Sequence, residues 1–130
     1  MYSVLGWLNV IILGVILSPY VLGFLNRKFL KTRNKGFINT IKFLRRLHKP
    51  FGLAMAVLAL VHGYMAMGGF RLHTGSLLYA SIFLTALLGG SFYKLKKRAL
   101  FTWHKRMALV SFLLLLLHLF YPSALYYLLN

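Results

Sequence analysis

Residues 100–121 read LFTWHKRMALVSFLLLLLHLFY, an apolar run whose charged residues, Lys105 and Arg106, stand near its start. A helix of about 20 residues crosses the hydrocarbon core of a membrane, and this run has that length. Three other stretches are also continuously apolar, and apolar runs without alternation favour helices over strands. We therefore expect an all-α fold, a transmembrane up-down four-helix bundle in which residues 1–130 form a single domain. The predicted spans are residues 4–25, 51–67, 76–93 and 100–121.

The composition excludes most other classes of protein. The chain has 16 Lys and Arg and no Asp or Glu, and this net charge of +16 is typical of nucleic-acid-binding proteins. Its 60% content of hydrophobic residues and its mean hydropathy of +0.74 argue against such a partner. The absence of Cys excludes disulfides, Cys-bound metals and thiol nucleophiles, and the absence of carboxylates excludes paired-acid hydrolysis. The class that is not excluded is a multi-span membrane protein surrounded by lipid.

The positive charges are distributed very unevenly between the predicted loops. Nine lie between the first two spans and six lie between the last two or at the start of the fourth, whereas Arg71 alone lies between the second and third. Because Lys and Arg stay on the cytoplasmic side, we expect a multi-pass inner-membrane protein with cytoplasmic basic loops and both termini outside. Residues 26–47 are expected to be a basic connecting loop, with an amphipathic helix on anionic lipid as the alternative. The first span lacks a preceding basic region, so we expect an anchor rather than a cleaved signal peptide.

Four of the five histidines form two pairs with the same spacing. His48 and His62 are 14 residues apart, and so are His104 and His118. At about 100° per residue, 14 residues come close to four full turns, so both members of a pair share one helix face. Both segments start in a basic loop and run outward, so their helices are predicted to be parallel. His48 is then expected at the depth of His104, and His62 at the depth of His118.

Two imidazoles that face each other at the same depth are typical of bis-histidine haem, in which the iron takes an axial nitrogen from each side. This arrangement is expected at two depths. The pattern predicts two haem b groups. His48 and His104 would bind the inner haem iron, and His62 and His118 would bind the outer one, about 21 Å away along the helices. Zinc is a poorer match because it takes three or four ligands within one small cluster.

Other residues are candidates to hold the rest of each haem. Gly52, one turn from an inner ligand, would let the flat macrocycle approach the backbone. Charge-assisted hydrogen bonds to the inner propionates are expected from five basic residues: Arg45, Arg46, Lys49, Lys105 and Arg106. Arg71 and His73 are candidates on the outer side, although His73 has no partner at its depth and is better explained as a structural loop residue. Gly89 and Gly90 indicate close helix packing.

Two segments of the chain resemble the ligand helices of dihaem b-type cytochromes. They are Leu47-His48-Lys49-Pro50-Phe51-Gly52 with His62, and Trp103-His104-Lys105-Arg106 with His118. The first is similar to the Leu-His-Arg/Lys-x-x-Gly segment, followed by a second His, of the ferric reductase-like transmembrane superfamily, and the respiratory cytochrome b core has similar pairing. The resemblance covers residues 45–120 and implies that the same four histidines are axial ligands. Many of these relatives have six spans and a flavin and nicotinamide domain, whereas this sequence has no G-x-G-x-x-G after a strand.

The expected function is electron transfer rather than self-contained catalysis. The chain would be a dihaem subunit of a larger redox complex, with a flavoprotein, an Fe–S subunit, a c-type cytochrome or a quinone as partner. One alternative is a membrane oxidoreductase that reduces a quinone or a metal at a haem edge, but quinol oxidation releases protons and no carboxylate is present to receive them. A second alternative is a non-redox membrane protein, such as a holin-like pore or an assembly subunit.

Overall fold

The computed structural model describes residues 1–69 and 71–130, which are almost entirely helical and contain no strand. The helices, in chain order, are α1 Tyr2–Leu25, α2 Lys35–Met67, α3 Thr74–Leu95, α4 Arg98–Phe120 and α5 Ala124–Leu129. One π-helical turn, Asn26–Leu30, extends α1. The predicted all-α fold class is confirmed.

Four of these helices are long and apolar enough to cross a membrane, namely α1 with its π-helical turn, α2, α3 and α4. Only 6–11% of the residues in each apolar window are buried, and apolar side chains such as Leu113, with 56% of its surface exposed, remain uncovered. Water disfavours so large an exposed apolar surface, whereas lipid chains accept it. The helices are those expected of a multi-pass membrane protein.

α2 extends well beyond the span predicted for it. Residues 35–47, which were expected to form part of a loop, are its first turns, and the connection without helical structure shrinks to residues 31–34. Lys and Arg are good helix formers, so basic residues end an apolar span without ending a helix. The Asn34 side chain accepts a hydrogen bond from the Gly36 N–H at 2.8 Å, which caps the start of α2. The helix then continues through Pro50.

The first of two compact units comprises residue 1 and residues 3–58. It contains α1 and the first part of α2, which run antiparallel because Ile16 lies beside His48, whereas Gly23, further along α1, lies beside the earlier residue Arg45. Pro19 lies within α1 and is buried, and the helix continues through it. This packing places His48 against the middle of α1.

The second unit comprises residue 2 and residues 59–130, and its core is an antiparallel hairpin of α3 and α4. Hydroxyl groups join the two helices at their midpoint. Ser111 of α4 donates a hydrogen bond to the Ser81 hydroxyl at 3.0 Å, and the Thr85 hydroxyl oxygen lies 3.2 Å from that of Ser111. Ser81 and Ser111 are buried. Hydrogen bonds of this kind hold membrane helices in a fixed register.

The ends of α3 and α4 are defined by local backbone chemistry. Lys96 adopts a left-handed conformation with φ +55°, and its N–H bonds to the Phe92 carbonyl, which ends α3 one residue earlier. α4 ends at Phe120, one residue before the end of the predicted span, because Tyr121 precedes Pro122 and a residue before proline disfavours the helical region.

Candidate functional site

The four histidines of the predicted pairs are all partly buried: His48 and His62 on α2, His104 and His118 on α4. α4 buries Ser111, seven residues from each of its histidines, and α2 buries Met55 at the equivalent position. Since seven residues come close to two full turns, each buried residue lies on the face that carries the two histidines. The histidine face of each helix therefore points inward.

His48 contacts α1 within the first unit. Its Nδ1 atom lies 3.4 Å from the Ile16 carbonyl oxygen, and its ring meets the Tyr20 ring edge-on with centroids 5.3 Å apart. Arg45, about one turn earlier in α2, places its Cζ atom 6.0 Å from the centroid of the Tyr20 ring. These contacts orient the His48 imidazole relative to α1.

His104 is oriented by α3. Its Nδ1 atom lies 2.8 Å from the Thr85 carbonyl oxygen. A Cβ atom at Gly89 would lie 2.9 Å from both Cε1 and Nδ1 of the His104 ring, too close for any side chain larger than hydrogen. A Cβ atom at Gly90 would meet nothing within 4 Å. The predicted close packing of the two glycines is thus confirmed at Gly89 and wrong at Gly90.

His118 contacts the opposite end of α3 in the same manner. Its Nδ1 atom lies 3.1 Å from the Thr74 hydroxyl oxygen, and a Cβ atom at Gly75 would lie 3.1 Å from its Cε1 atom. Gly75 and Gly89 are 14 residues apart, which is also the separation of the two α4 histidines. In an antiparallel pair of helices, this shared spacing places one glycine against each histidine. The match is a sequence signal that would have found both glycines.

His62 lies in the second unit, near the C-terminal end of α2. Its Nδ1 atom is 2.8 Å from the Tyr2 carbonyl oxygen. Residues 59–67 of α2 and 75–79 of α3 contribute the walls of a groove of about 310 Å³, so the end of α2 lies beside the start of α3. Gly63, next to His62, and Gly75, which contacts the His118 ring, both line this groove. His62 and His118 therefore occupy the same end of this unit, whereas the pairing of His48 with His104 stays a prediction from the sequence.

The four imidazoles share one hydrogen-bond arrangement at Nδ1. The acceptor for His48 is the Ile16 carbonyl oxygen, and that for His62 is the Tyr2 carbonyl oxygen. The acceptor for His104 is the Thr85 carbonyl oxygen, and that for His118 is the Thr74 hydroxyl. A carbonyl oxygen can only accept, so in His48, His62 and His104 Nδ1 carries the proton and Nε2 keeps the lone pair. The Thr74 hydroxyl donates to the Pro122 carbonyl at 2.7 Å, which leaves it to accept from His118 in the same way. Histidines that bind metals use the same division, with one nitrogen on the metal and the other N–H donated to an acceptor. Sequence reasoning missed these acceptors because three of them are backbone atoms.

His73 is the N-cap residue of α3. Its Nδ1 atom accepts a hydrogen bond from the Gly75 N–H at 3.3 Å, and the Ser76 hydroxyl accepts one from the His73 N–H at 2.9 Å. This reciprocal pair is a capping box, which satisfies donors that the first turn of a helix leaves unpaired. His73 thus has a structural task at the start of α3.

The five basic residues predicted to bind propionates are all exposed: Arg45, Arg46, Lys49, Lys105 and Arg106. In α4, Lys105 Nζ lies 4.8 Å from the centroid of the Phe101 ring, and Arg106 Cζ lies 5.1 Å from that of the Trp103 ring. The chain contains no Asp or Glu side chain to neutralise these cations. In α2, a Cβ atom at Gly52 would meet nothing within 4 Å, so this part of the helix leaves open space.

Within residues 1–69 and 71–130, no three side chains of the kinds that hold a single metal ion come together. The histidines instead occur as separate groups with their Nδ1 atoms already engaged. No family model, curated protein or solved structure matches this chain.

Proposed function

We propose that this chain is a dihaem b-type cytochrome subunit that carries electrons across a membrane, between a donor on one side and an acceptor on the other. The observation that carries the proposal is the shared arrangement at Nδ1 of four histidines placed at matched positions on two helices. Packing alone requires neither the matched spacing nor the same tautomer at all four. Axial ligation of haem iron requires a lone pair on Nε2 and a fixed ring.

The four histidines divide into two ligand sets. His62 and His118 form the outer set and lie at the same end of the second unit. His48 and His104 form the inner set, which rests on the equal spacing of the two pairs. When bound, haem supplies a one-electron carrier whose potential depends on its ligands and surroundings. The protein's contribution is to hold each imidazole by Nδ1 so that Nε2 keeps its lone pair.

The distribution of charge supports the same proposal. Arg45, Arg46, Lys49, Lys105 and Arg106 lie within one helical turn of His48 on α2 or of His104 on α4, where carboxylates of a bound cofactor would find counter-charges. Together with the other basic residues between the spans, they support a proposed orientation with cytoplasmic basic segments and both termini outside.

Electron transfer is favoured over a self-contained reductase. The sequence has no carboxylate to receive the protons that quinol oxidation releases, and it has no dinucleotide-binding motif. A flavoprotein or an Fe–S subunit would supply the electrons, and a second carrier, such as a c-type cytochrome, would accept them. The chain would then work as one module of a larger complex.

Spectroscopy of the purified protein tests the proposal. A pyridine haemochrome assay should give two haems b per chain, and the reduced-minus-oxidised spectrum should show b-type bands. His62→Ala and His118→Ala should each remove the same haem, because they are proposed to bind one iron from opposite sides. Leu113→Ala, which changes an exposed residue of α4, is the control and should retain both haems. A wild-type protein without haem would refute the proposal, and loss of different haems in the two ligand variants would refute the pairing.

A quinol-oxidising or metal-reducing activity would give a different result. Added menaquinol would then reduce the haems of the isolated chain, whereas an electron-transfer module would require its partner subunit. A non-redox pore or assembly subunit would show no haem spectrum at all.

A further inference from the structure

Thr74 is the most deeply buried polar residue in the described part of the chain, with 1% of its surface exposed. It is the first residue of α3, and its hydroxyl lies among three polar groups. The hydroxyl oxygen is 2.7 Å from the Pro122 carbonyl oxygen, 3.1 Å from His118 Nδ1 and 3.3 Å from His73 Nδ1. A buried hydroxyl with this many neighbours links the start of α3 to α4 and to the residues after it.

The Thr74 hydroxyl has one proton and can therefore donate only one hydrogen bond. The Pro122 carbonyl can only accept a hydrogen bond and is the nearest of the three partners, so the Thr74 O–H donates to it. The Nδ1 lone pair of His73 is occupied by the Gly75 N–H at 3.3 Å. The hydroxyl lone pairs therefore accept from His118, whose Nδ1 must carry the proton. This one side chain determines the tautomer of the His118 ring.

The same end of α3 also restricts the plane of the His118 ring. A Cβ atom at Gly75 would be 3.1 Å from its Cε1 atom and 3.6 Å from its Nδ1 atom, so the ring packs on the α3 backbone. The His73 ring stands edge-on to it at 89°, with centroids 6.1 Å apart. A ring in contact on these sides cannot rotate about its Cβ–Cγ bond without losing the hydrogen bond to Thr74.

His118 differs from the other three histidines in the nature of its acceptor. His48, His62 and His104 meet backbone carbonyl oxygens at Nδ1, which no substitution of the acceptor residue removes. The acceptor of His118 is a side-chain hydroxyl, which a single substitution removes with little change of shape, because Val has nearly the outline of Thr.

We propose that Thr74 is a positioning residue for the outer haem, which fixes the plane and tautomer of its axial ligand His118. The inference rests on the proposed function. A hydrogen bond from the remote N–H of an axial imidazole raises the basicity of the ligating nitrogen, and the ring plane sets its overlap with the iron orbitals. Both the potential and the low-spin ferric signal of the outer haem then depend on the Thr74 hydroxyl, whereas those of the inner haem do not.

The test compares the full-length wild type with Thr74→Val, Thr74→Ser and the control Thr40→Val, each loaded with haem. The electron paramagnetic resonance spectrum of the oxidised protein and a potentiometric titration resolve the two haems. Thr74→Val should shift the ferric signal and the midpoint potential of one haem while the other keeps its wild-type values. Thr74→Ser retains the hydroxyl and should restore both. Thr40→Val removes an exposed hydroxyl that bonds within α2, to the Gly36 carbonyl, and should change neither haem.

The outcomes separate the inference from the function on which it rests. Two haems with wild-type signals in Thr74→Val would overturn the positioning role and leave the dihaem proposal intact. If Thr74→Val loses the outer haem or does not accumulate, Thr74→Ser decides the question. Wild-type signals in the serine variant would support a role for the hydroxyl, and shifted signals would overturn it. A wild type without haem would overturn both proposals together.

Discussion

Gly89→Ala offers the sharpest test of how α3 and α4 pack, because Gly90 provides a control one residue away in the same helix. A methyl group at Gly89 would lie 2.9 Å from Cε1 and Nδ1 of His104, whereas carbon atoms in ordinary contact are about 3.5–4.0 Å apart. The ring must therefore move by roughly 0.6–1 Å, and the hydrogen bond from its Nδ1 to the Thr85 carbonyl, now 2.8 Å, would exceed the usual limit of about 3.2 Å.

The magnitude follows from three effects. Overpacking costs about 1–3 kcal/mol, and the lost hydrogen bond costs about 0.5–1.5 kcal/mol. Replacing Gly by Ala inside a helix returns about 0.5–1 kcal/mol. The free energy of unfolding of Gly89→Ala should therefore fall by about 2 kcal/mol. That of Gly90→Ala should rise by about 0.5–1 kcal/mol, because a Cβ atom there meets nothing within 4 Å.

Thermal unfolding in detergent, monitored by circular dichroism, measures the difference in stability between the two variants. We expect the Tm of Gly89→Ala to fall by roughly 5–10 °C and that of Gly90→Ala to stay level or rise slightly. In the haem-loaded protein, Gly89→Ala should also lose the inner haem before the outer one, because His104 is displaced. Equal Tm values for the two variants would refute the packing of His104 on Gly89. A lowered Tm with the inner haem fully retained would refute only the ligand role of His104.

Three further predictions use the same hairpin and the chain end. Gly75→Ala should weaken binding of the outer haem less than Gly89→Ala weakens binding of the inner haem, because its Cβ atom meets the His118 ring at 3.1 Å, whereas that of Gly89→Ala meets the His104 ring at 2.9 Å. Gly63→Ala is the control, because a Cβ atom there meets nothing within 4 Å. Equal haem loss in Gly75→Ala and Gly63→Ala would contradict the contact between Gly75 and His118. Ser111→Ala should lower the free energy of unfolding by about 1 kcal/mol and leave both haem spectra unchanged, since it removes only interhelical hydrogen bonds. A changed haem spectrum in Ser111→Ala would disprove this structural role. A tag after Asn130 should be cleaved by protease added outside spheroplasts, and protection in intact spheroplasts with cleavage after lysis would reverse the proposed orientation.

The extent of the helices shows what apolar patterning does and does not determine. The four predicted spans all fall within long helices, apart from the last residue predicted for the fourth, because an apolar run of this length forms a helix. The start of α2 at Lys35 was not predicted, because polar and basic residues interrupt the apolar residues before Pro50. Helix formation depends on backbone hydrogen bonds and intrinsic propensity, and both extend beyond the apolar residues.

The candidate site was predictable in its histidines but not in its supports. Residues 14 apart share a helix face by geometry alone, so the inward position of the His104 and His118 face followed from the spacing, and the buried Ser111 between them agrees with it. The acceptor of His104 is the backbone carbonyl of Thr85, and every residue type has such a carbonyl. The role of Thr74 depends on how α3 meets the residues after α4, which no local pattern specifies.

The tight connection between α3 and α4 has a consequence for the order of assembly during biogenesis. Only Lys96 and Lys97 separate the two helices, and every described α3 contact that orients His104 or His118 lies within residues 73–122. Contacts that are close in sequence form early, since little chain entropy is lost in closing them. The C-terminal hairpin can thus orient its two imidazoles before α2 has packed, and in the proposed dihaem protein haem binding would wait only for the α2 histidines.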